Sequence, residues 1–176
     1  PPPPPPPRSP PPAPPELYTF IASSAASDVY KRQLQGLSDQ ELGKLAVFCE
    51  MREMAEGTTV FIENMPGESL FLVKKGTIRV SRMFAEGDEQ TLVVLGPEDI
   101  FGEMAVIDGL PRSATARVAE NAELISLNRK SLEQLCRDDA NLALKLVKNI
   151  VKVFSQRVRE VNEEYRDMLI WSMQKP

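Results

Sequence analysis

Apolar positions change their period twice along the chain. A capping box at Ser38 and Glu41 precedes apolar Leu42, Leu45, Ala46 and Phe48, which predicts a short amphipathic helix running to about Cys49. Between residues 52 and 127 the pattern becomes a series of short β-rich runs, at 59–62, 69–73, 77–83, 90–95 and 124–127. Gly57, Gly67, Gly76, Gly87 and Gly96 fall in the gaps as expected turns, with Glu86, Gly87 and Asp88 closing a hairpin. Strands so short and closely spaced imply an antiparallel roll or barrel. After Asn128, read as an N-cap, helical spacing returns at Leu132 and Leu135, pauses at Asp138 and Asp139, and restarts as a long helix capped by Asp139. Along it Val147, Val151, Phe154, Val158, Val161, Tyr165 and Met168 alternate spacings of four and three, the seam of a coiled coil. A homodimer through this helix is expected; packing of half the seam on the roll is the alternative.

At 176 residues and 42% apolar content the chain suits one domain with appendages. Residues 1–15 are almost pure proline, and the stretch from Leu17 to Gln33 has no sustained apolar period. Part of it, SSAASDVYKRQ, resembles translated sequencing-adapter text. The expected division is therefore a disordered, Pro-rich, non-native leader at 1–33, a β-roll with its N-terminal helix at 34–137, and a long C-terminal helix with the dimer seam at 138–172.

Charge and residue usage narrow the function. A net charge of −4 argues against direct DNA binding. No apolar run approaches the ~20 residues of a membrane span, and no N-terminal targeting pattern occurs, so a cytoplasmic protein with no membrane partner is expected. The cysteines, Cys49 and Cys136, both sit in helix-like apolar patterns and are expected to be buried free thiols. The chain has no histidine. That removes Ser-His-Asp triads, histidine general bases and imidazole metal sites, so no catalytic residue, metal or cofactor is assigned and the protein is read as a non-enzyme.

The informative stretch is FGEMAVIDGLPRSATARV, from Phe101 to Val118. A short helical turn from Glu103 to Ile107 would present free backbone N–H groups, and Gly102 would let a ligand approach the backbone. Arg112, beyond a Gly-Leu-Pro turn, can offer a planar fork of donors to the same anion. A carboxylate at Glu103 would repel a phosphate monoester, yet it suits a sugar hydroxyl while Arg112 holds a singly charged phosphodiester. Ribose and one phosphate describe a cyclic mononucleotide. The competing structural reading is an Arg112–Glu103 salt bridge in an empty roll, with Ser113 and Thr115 as ordinary strand packing.

The same stretch resembles the phosphate-binding cassette of cyclic-nucleotide-binding domains of the Crp/Fnr-like, catabolite-activator superfamily: Phe-Gly-Glu, two apolar residues, a short loop, then Pro-Arg-x-Ala-Thr. The resemblance covers residues 34 to about 172. It implies a mainly β fold, an eight-stranded antiparallel jelly roll with flanking helices followed by a long C-terminal helix. It further implies that Gly102, Glu103, Met104 and Ala105 line the ribose-phosphate pocket, that Glu103 takes the 2′-hydroxyl and Arg112 the phosphate, and that Ser113, Ala114 and Thr115 complete the cassette. Relatives favouring cyclic GMP commonly carry threonine after the arginine; Ser113 here makes cyclic AMP the expected ligand, with cyclic GMP as the alternative. By alignment with the catabolite-activator branch, the base contacts fall at Arg157 and Val158, where the family has two polar residues. That branch continues into a helix-turn-helix domain, for which the chain, ending at Pro176, leaves no room. The expected role is a sensor transmitting occupancy through its C-terminal helix. The alternative is a fragment of a larger Crp/Fnr-type regulator, kinase regulatory subunit or channel.

Overall fold

The computed structural model describes residues 34, 36–84 and 87–173. The leader expected at 1–33, and Glu86 of the expected hairpin, lie outside the described residues. In chain order the elements are α1 (Asp39–Ala46), β1 (Cys49–Met54), β2 (Thr59–Phe61), β3 (Ser69–Met83), β4 (Glu89–Leu95), β5 (Ile100–Phe101), α2 (Glu103–Asp108), β6 (Thr115–Asn128), α3 (Arg129–Asp138) and α4 (Ala140–Met173). The strands pair antiparallel in the order β1-β6-β3-β4, with β2 also on β6 and β5 also on β3. This is the expected mainly β architecture with flanking helices and a long C-terminal helix. Six strands are described where eight were expected, because the runs at 69–73 and 77–83 form one strand and 124–127 ends a strand that starts at Thr115. Gly76 is accordingly no chain reversal; it sits inside β3 where the pairing with β6 slips register, as a bulge does.

The continuous apolar runs follow from burial on both faces of the sheet. Leu70, Leu72, Ile100, Ile125 and Leu127 face a core shared with the helices, while Phe71, Val73, Phe101 and Leu124 face the interior of the roll. Successive residues thus serve two cores. The helical core is completed by Leu42, Leu45 and Ala46 of α1, Leu132 and Leu135 of α3, and Leu142, Ala143, Leu146 and Ile150 of α4.

Local capping places these helices. Ser38 Oγ accepts the Glu41 N–H at 3.3 Å and the Ser38 N–H donates to Glu41 Oε2 at 2.8 Å, the reciprocal box read from the sequence. Asn128 caps α3 through the Ser131 N–H at 2.8 Å, and Asp139 caps α4 through the Leu142 N–H at 3.1 Å. Lys44 and Lys145 pair with Asp139 and Glu41, and these partners hold both carboxyls below their usual range.

Two sequence expectations are corrected. Helix α1 stops at Ala46, and Cys49 instead opens β1, where it pairs with Leu127 in the sheet. Its thiol is buried and its pKa is pushed up to about 12 by desolvation, with the Glu50 charge adding to the shift. Cys136 is exposed, because α3 buries Leu132 and Leu135 and the next position turns outward. In α4 the packing stripe lies beside the seam read from the sequence, which faces outward along most of its length. Burial centres on Leu142, Leu146 and Ile150, whereas Val151, Phe154, Val158, Val161, Tyr165 and Met168 are exposed.

Leu142→Ala should destabilise the fold by about 2–5 kcal/mol through the cavity it leaves. Leu144→Ala, at an exposed neighbour, should stay within about 0.5 kcal/mol. Urea unfolding of both variants checks the assignment of the buried face.

Candidate functional site

Backbone hydrogen bonds tie the cassette to the connection between β2 and β3. The Arg112 N–H donates to Met65 O at 2.9 Å, and the Asn64 N–H donates to Arg112 O at 2.8 Å, which anchors the arginine's main chain. Gly109 ends α2 in a left-handed conformation, and the Leu110 N–H donates to Asp108 Oδ1 at 2.9 Å, turning the chain back. Arg112 then enters the roll and is only 5% exposed.

Its charge is incompletely answered. Nη1 donates to Gly102 O and Nη2 to Ser69 O, both at 2.7 Å, and the guanidinium lies 4.1 Å from the centroid of the Phe61 ring. Nε is buried without a partner, so three of the five guanidinium donors make no bond to the described residues. No carboxylate among those residues reaches ion-pairing distance, and the salt bridge to Glu103 considered from the sequence does not form. Burial pushes the Arg112 pKa down, and only the nearby Glu103 charge opposes that shift.

Two glycines make room for this side chain. Gly102 has φ of 73°, in the left-handed region, and a Cβ there would stand 2.7 Å from Arg112 Nη1 and 3.1 Å from the Phe61 ring. It also starts α2 with no side-chain cap, leaving first-turn N–H groups for another acceptor. Gly67 was read only as a turn. A Cβ at that position would lie 2.5 Å from both Arg112 Nε and Ala105 Cβ, so its small size serves the arginine.

These groups border a cavity of about 390 Å³, within the ~300–1,000 Å³ common for small-ligand sites. From the cassette come Gly102, Glu103, Met104, Ala105, Arg112, Ser113 and Ala114. The roll adds an apolar wall of Phe61, Val80, Leu92, Val93, Leu95 and Phe101, and α4 closes one side with Phe154, Arg157, Val158, Val161 and Asn162. Arg157 and Val158 therefore stand where base contacts were sought. Arg157 spans to Asp99 at 3.5 Å and to Glu103 at 4.0 Å, and its Nη2 makes no hydrogen bond to the described residues. Ser113 Oγ donates to Met104 Sδ at 3.8 Å.

Thr115 stands apart from the other cassette residues. Its hydroxyl accepts the Glu63 N–H at 3.0 Å, and it is not among the residues that line the cavity. Sequence reasoning missed the roll's apolar wall, and it read Phe154 and Val161 as seam alone. The β-rich run at 90–95 marked a strand but not what that strand encloses.

The family model for the cyclic nucleotide-binding domain matches residues 51–139. Over 129 residues the chain is 34% identical to the cyclic AMP receptor protein of Thermus thermophilus, covering 73% of this chain and 58% of that protein. It is 26% identical over 135 residues to a CRP-like cAMP-activated global transcriptional regulator of Mycobacterium tuberculosis, covering 77% of this chain and again 58% of the relative. Among solved structures, a cyclic nucleotide-binding domain from Methylobacillus flagellatus superposes with a TM-score of 0.75 at 26% identity, covering 85% of this chain and 82% of that one. The chain thus spans little more than half the length of these two curated relatives. Among the described residues no helix is long and apolar enough to cross a membrane.

Gly67→Ala should destabilise the protein by about 1–3 kcal/mol, because the added methyl must displace Arg112 or the packed Ala105. A thermal melt showing wild-type stability would refute the close-approach role of this glycine.

Proposed function

Because the chain belongs to the cyclic nucleotide-binding domain family, in its Crp/Fnr-like branch, we propose that it is a regulatory sensor that binds cyclic AMP and reports occupancy through α4. The observation that carries this reading is the buried Arg112 guanidinium, with spare donors and no carboxylate partner among the described residues, at the wall of a half-open cavity. A phosphodiester carries the single negative charge that would complete this group. The N–H groups at the start of α2 add donors, with Ser113 and Ala114 flanking them. Glu103, 8% exposed and 4.0 Å from Arg157, is the proposed acceptor for a ribose hydroxyl. The base then extends toward α4, between Arg157, Val158 and the apolar roll wall.

Adenine is favoured by two supports. Ser113 stands where cyclic-GMP-selective members commonly carry threonine, and both curated relatives are named for cyclic AMP. No cofactor or metal is required by this chemistry. Transmission follows from α4 serving both the cavity and the exposed seam, so ligand that prefers one helix position shifts the population toward it. The seam makes a homodimer the proposed assembly, and the cytoplasm the proposed compartment; the chain itself is proposed to make no direct DNA contact. A second reading is favoured by the length of the relatives: the same sensor within a larger Crp/Fnr-type regulator, kinase regulatory subunit or channel. The genomic sequence flanking the reading frame distinguishes the two.

Arg112→Leu should weaken cyclic AMP binding by about 2–5 kcal/mol in calorimetry, the loss typical when one partner of a buried charge pair is removed. Cyclic GMP, titrated alongside, should bind the wild type more weakly; equal or tighter binding would reverse the base assignment. For transmission, spin labels on Arg159 of the two subunits should report a nucleotide-dependent distance, and an unchanged distance would refute a moving α4.

A further inference from the structure

Helix α2 carries the peptide groups that the proposed ligand would meet, yet it has no basic residue in its own last turn. One carbonyl of its last turn, that of Ala105, also accepts from another element. Arg129, the first residue of α3, donates from Nη2 to Ala105 O, the carbonyl that also accepts the Gly109 N–H at 3.2 Å. The guanidinium rests against Gly109, where a Cβ would stand 3.4 Å from Arg129 Nη1. Arg129 Nε is buried without a hydrogen-bond partner. Among the described residues the bond to Ala105 is therefore the polar contact that holds this side chain.

The position of that bond matters because of what lies on each side of it. Ala105 is 2% exposed and lines the cavity. On the other side, the Arg129 N–H donates to Glu68 O at 2.7 Å, fixing the start of α3, and α3 leads through Asp139 into α4. Two guanidiniums consequently grip one short stretch of backbone: Arg112 through Gly102 O and Arg129 through Ala105 O. The first belongs to the cavity. The second belongs to the helical arm.

We propose that Arg129 is a positioning residue, the polar tie between α2 and α3 through which occupancy of residues 102–105 is felt by the helical arm. The tie rests on the reading of the cavity as a cyclic-nucleotide site, and it can fail independently of that reading. Hydrogen–deuterium exchange and cyclic AMP calorimetry on the full 176-residue chain, with Arg129→Gln and Arg129→Lys variants, test it. In the nucleotide-free chain, Arg129→Gln is expected to speed exchange of the amides of residues 106–109 about tenfold while β3 and β6 exchange as in the wild type. Its affinity for cyclic AMP is expected to fall about tenfold, in line with loss of one charge-assisted hydrogen bond. Arg129→Lys keeps the charge and a donor for a single carbonyl, and should recover affinity to within about threefold of the wild type.

Wild-type exchange and wild-type affinity in Arg129→Gln would overturn the tie. So would faster exchange spread evenly through β3 and β6, which marks lost stability and not lost position. A wild-type chain that binds no cyclic nucleotide would overturn the cavity reading instead, and the exchange measurements alone would then decide the tie.

Discussion

A guanidinium withdrawn from water must have its charge answered, and at Arg112 the answer supplied by the fold is partial. Two carbonyls and an aromatic face contribute about one to a few kcal/mol each at best, against an effective desolvation cost of several kcal/mol for a buried ion. A carboxylate would close that gap, but Glu103 stays out of pairing distance of Arg112 and leans toward Arg157. The imbalance explains why neighbouring positions are so constrained. Gly67 and Gly102 lack side chains because the arginine occupies their space. Phe61, Phe71 and Phe101, with ring centroids 5.3 to 6.1 Å apart, form an aromatic cluster whose Phe61 face meets the guanidinium.

The two-core sheet gives that arginine a rigid frame. Leu70 and Leu72 bind β3 to the helical layer while Phe71 and Val73 fill the roll, so a displacement of this strand disturbs both cores. Ser69, which begins the same strand, supplies one of the carbonyls gripping Arg112 and pairs across the sheet with Asn128, the cap of α3. The site and the start of the helical arm are thereby one pair of residues apart on neighbouring strands. Local capping, strand alternation and the site converge on the same few residues, which is the consistency across levels that gives a sequence one fold.

Much of this was legible from residue patterns, and the failures have physical causes. Caps at Ser38, Asn128 and Asp139 could be read because their signals are local, a short polar side chain ahead of a helical run. The join between residues 73 and 77 could not, because Gly76 has the same sequence signature as a turn and only pairing with β6 makes it a bulge. Cys136 misled because one residue of rotation separates the buried and exposed faces of α3. Within the cassette, motif spacing indicated which residues to examine, yet the roles of Gly67 and Arg129 depend on contacts across 45 and 24 positions of sequence that no window contains. Thr115 shows the converse case, a residue included by its motif whose hydroxyl accepts the Glu63 N–H.

Helix α4 divides its labour along its length, and the divisions overlap. Residues up to Ile150 pack on the roll, Phe154 to Asn162 face the cavity, and the apolar stripe continues exposed to Met168. A 34-residue helix is a rod of roughly 50 Å, so its near end cannot rotate without carrying the far end. Phe154, Val158 and Val161 belong to both the cavity wall and the seam. On the proposed reading, whatever fills the cavity and whatever covers the seam act on the same three side chains. Reciprocity then follows from thermodynamics: if nucleotide alters the affinity of one helix for its partner, association must alter the affinity for nucleotide by the same factor. Two separate surfaces on a flexible chain would obey the same reciprocity with a coupling near zero; a shared face on one rigid helix gives the coupling a size set by the geometry.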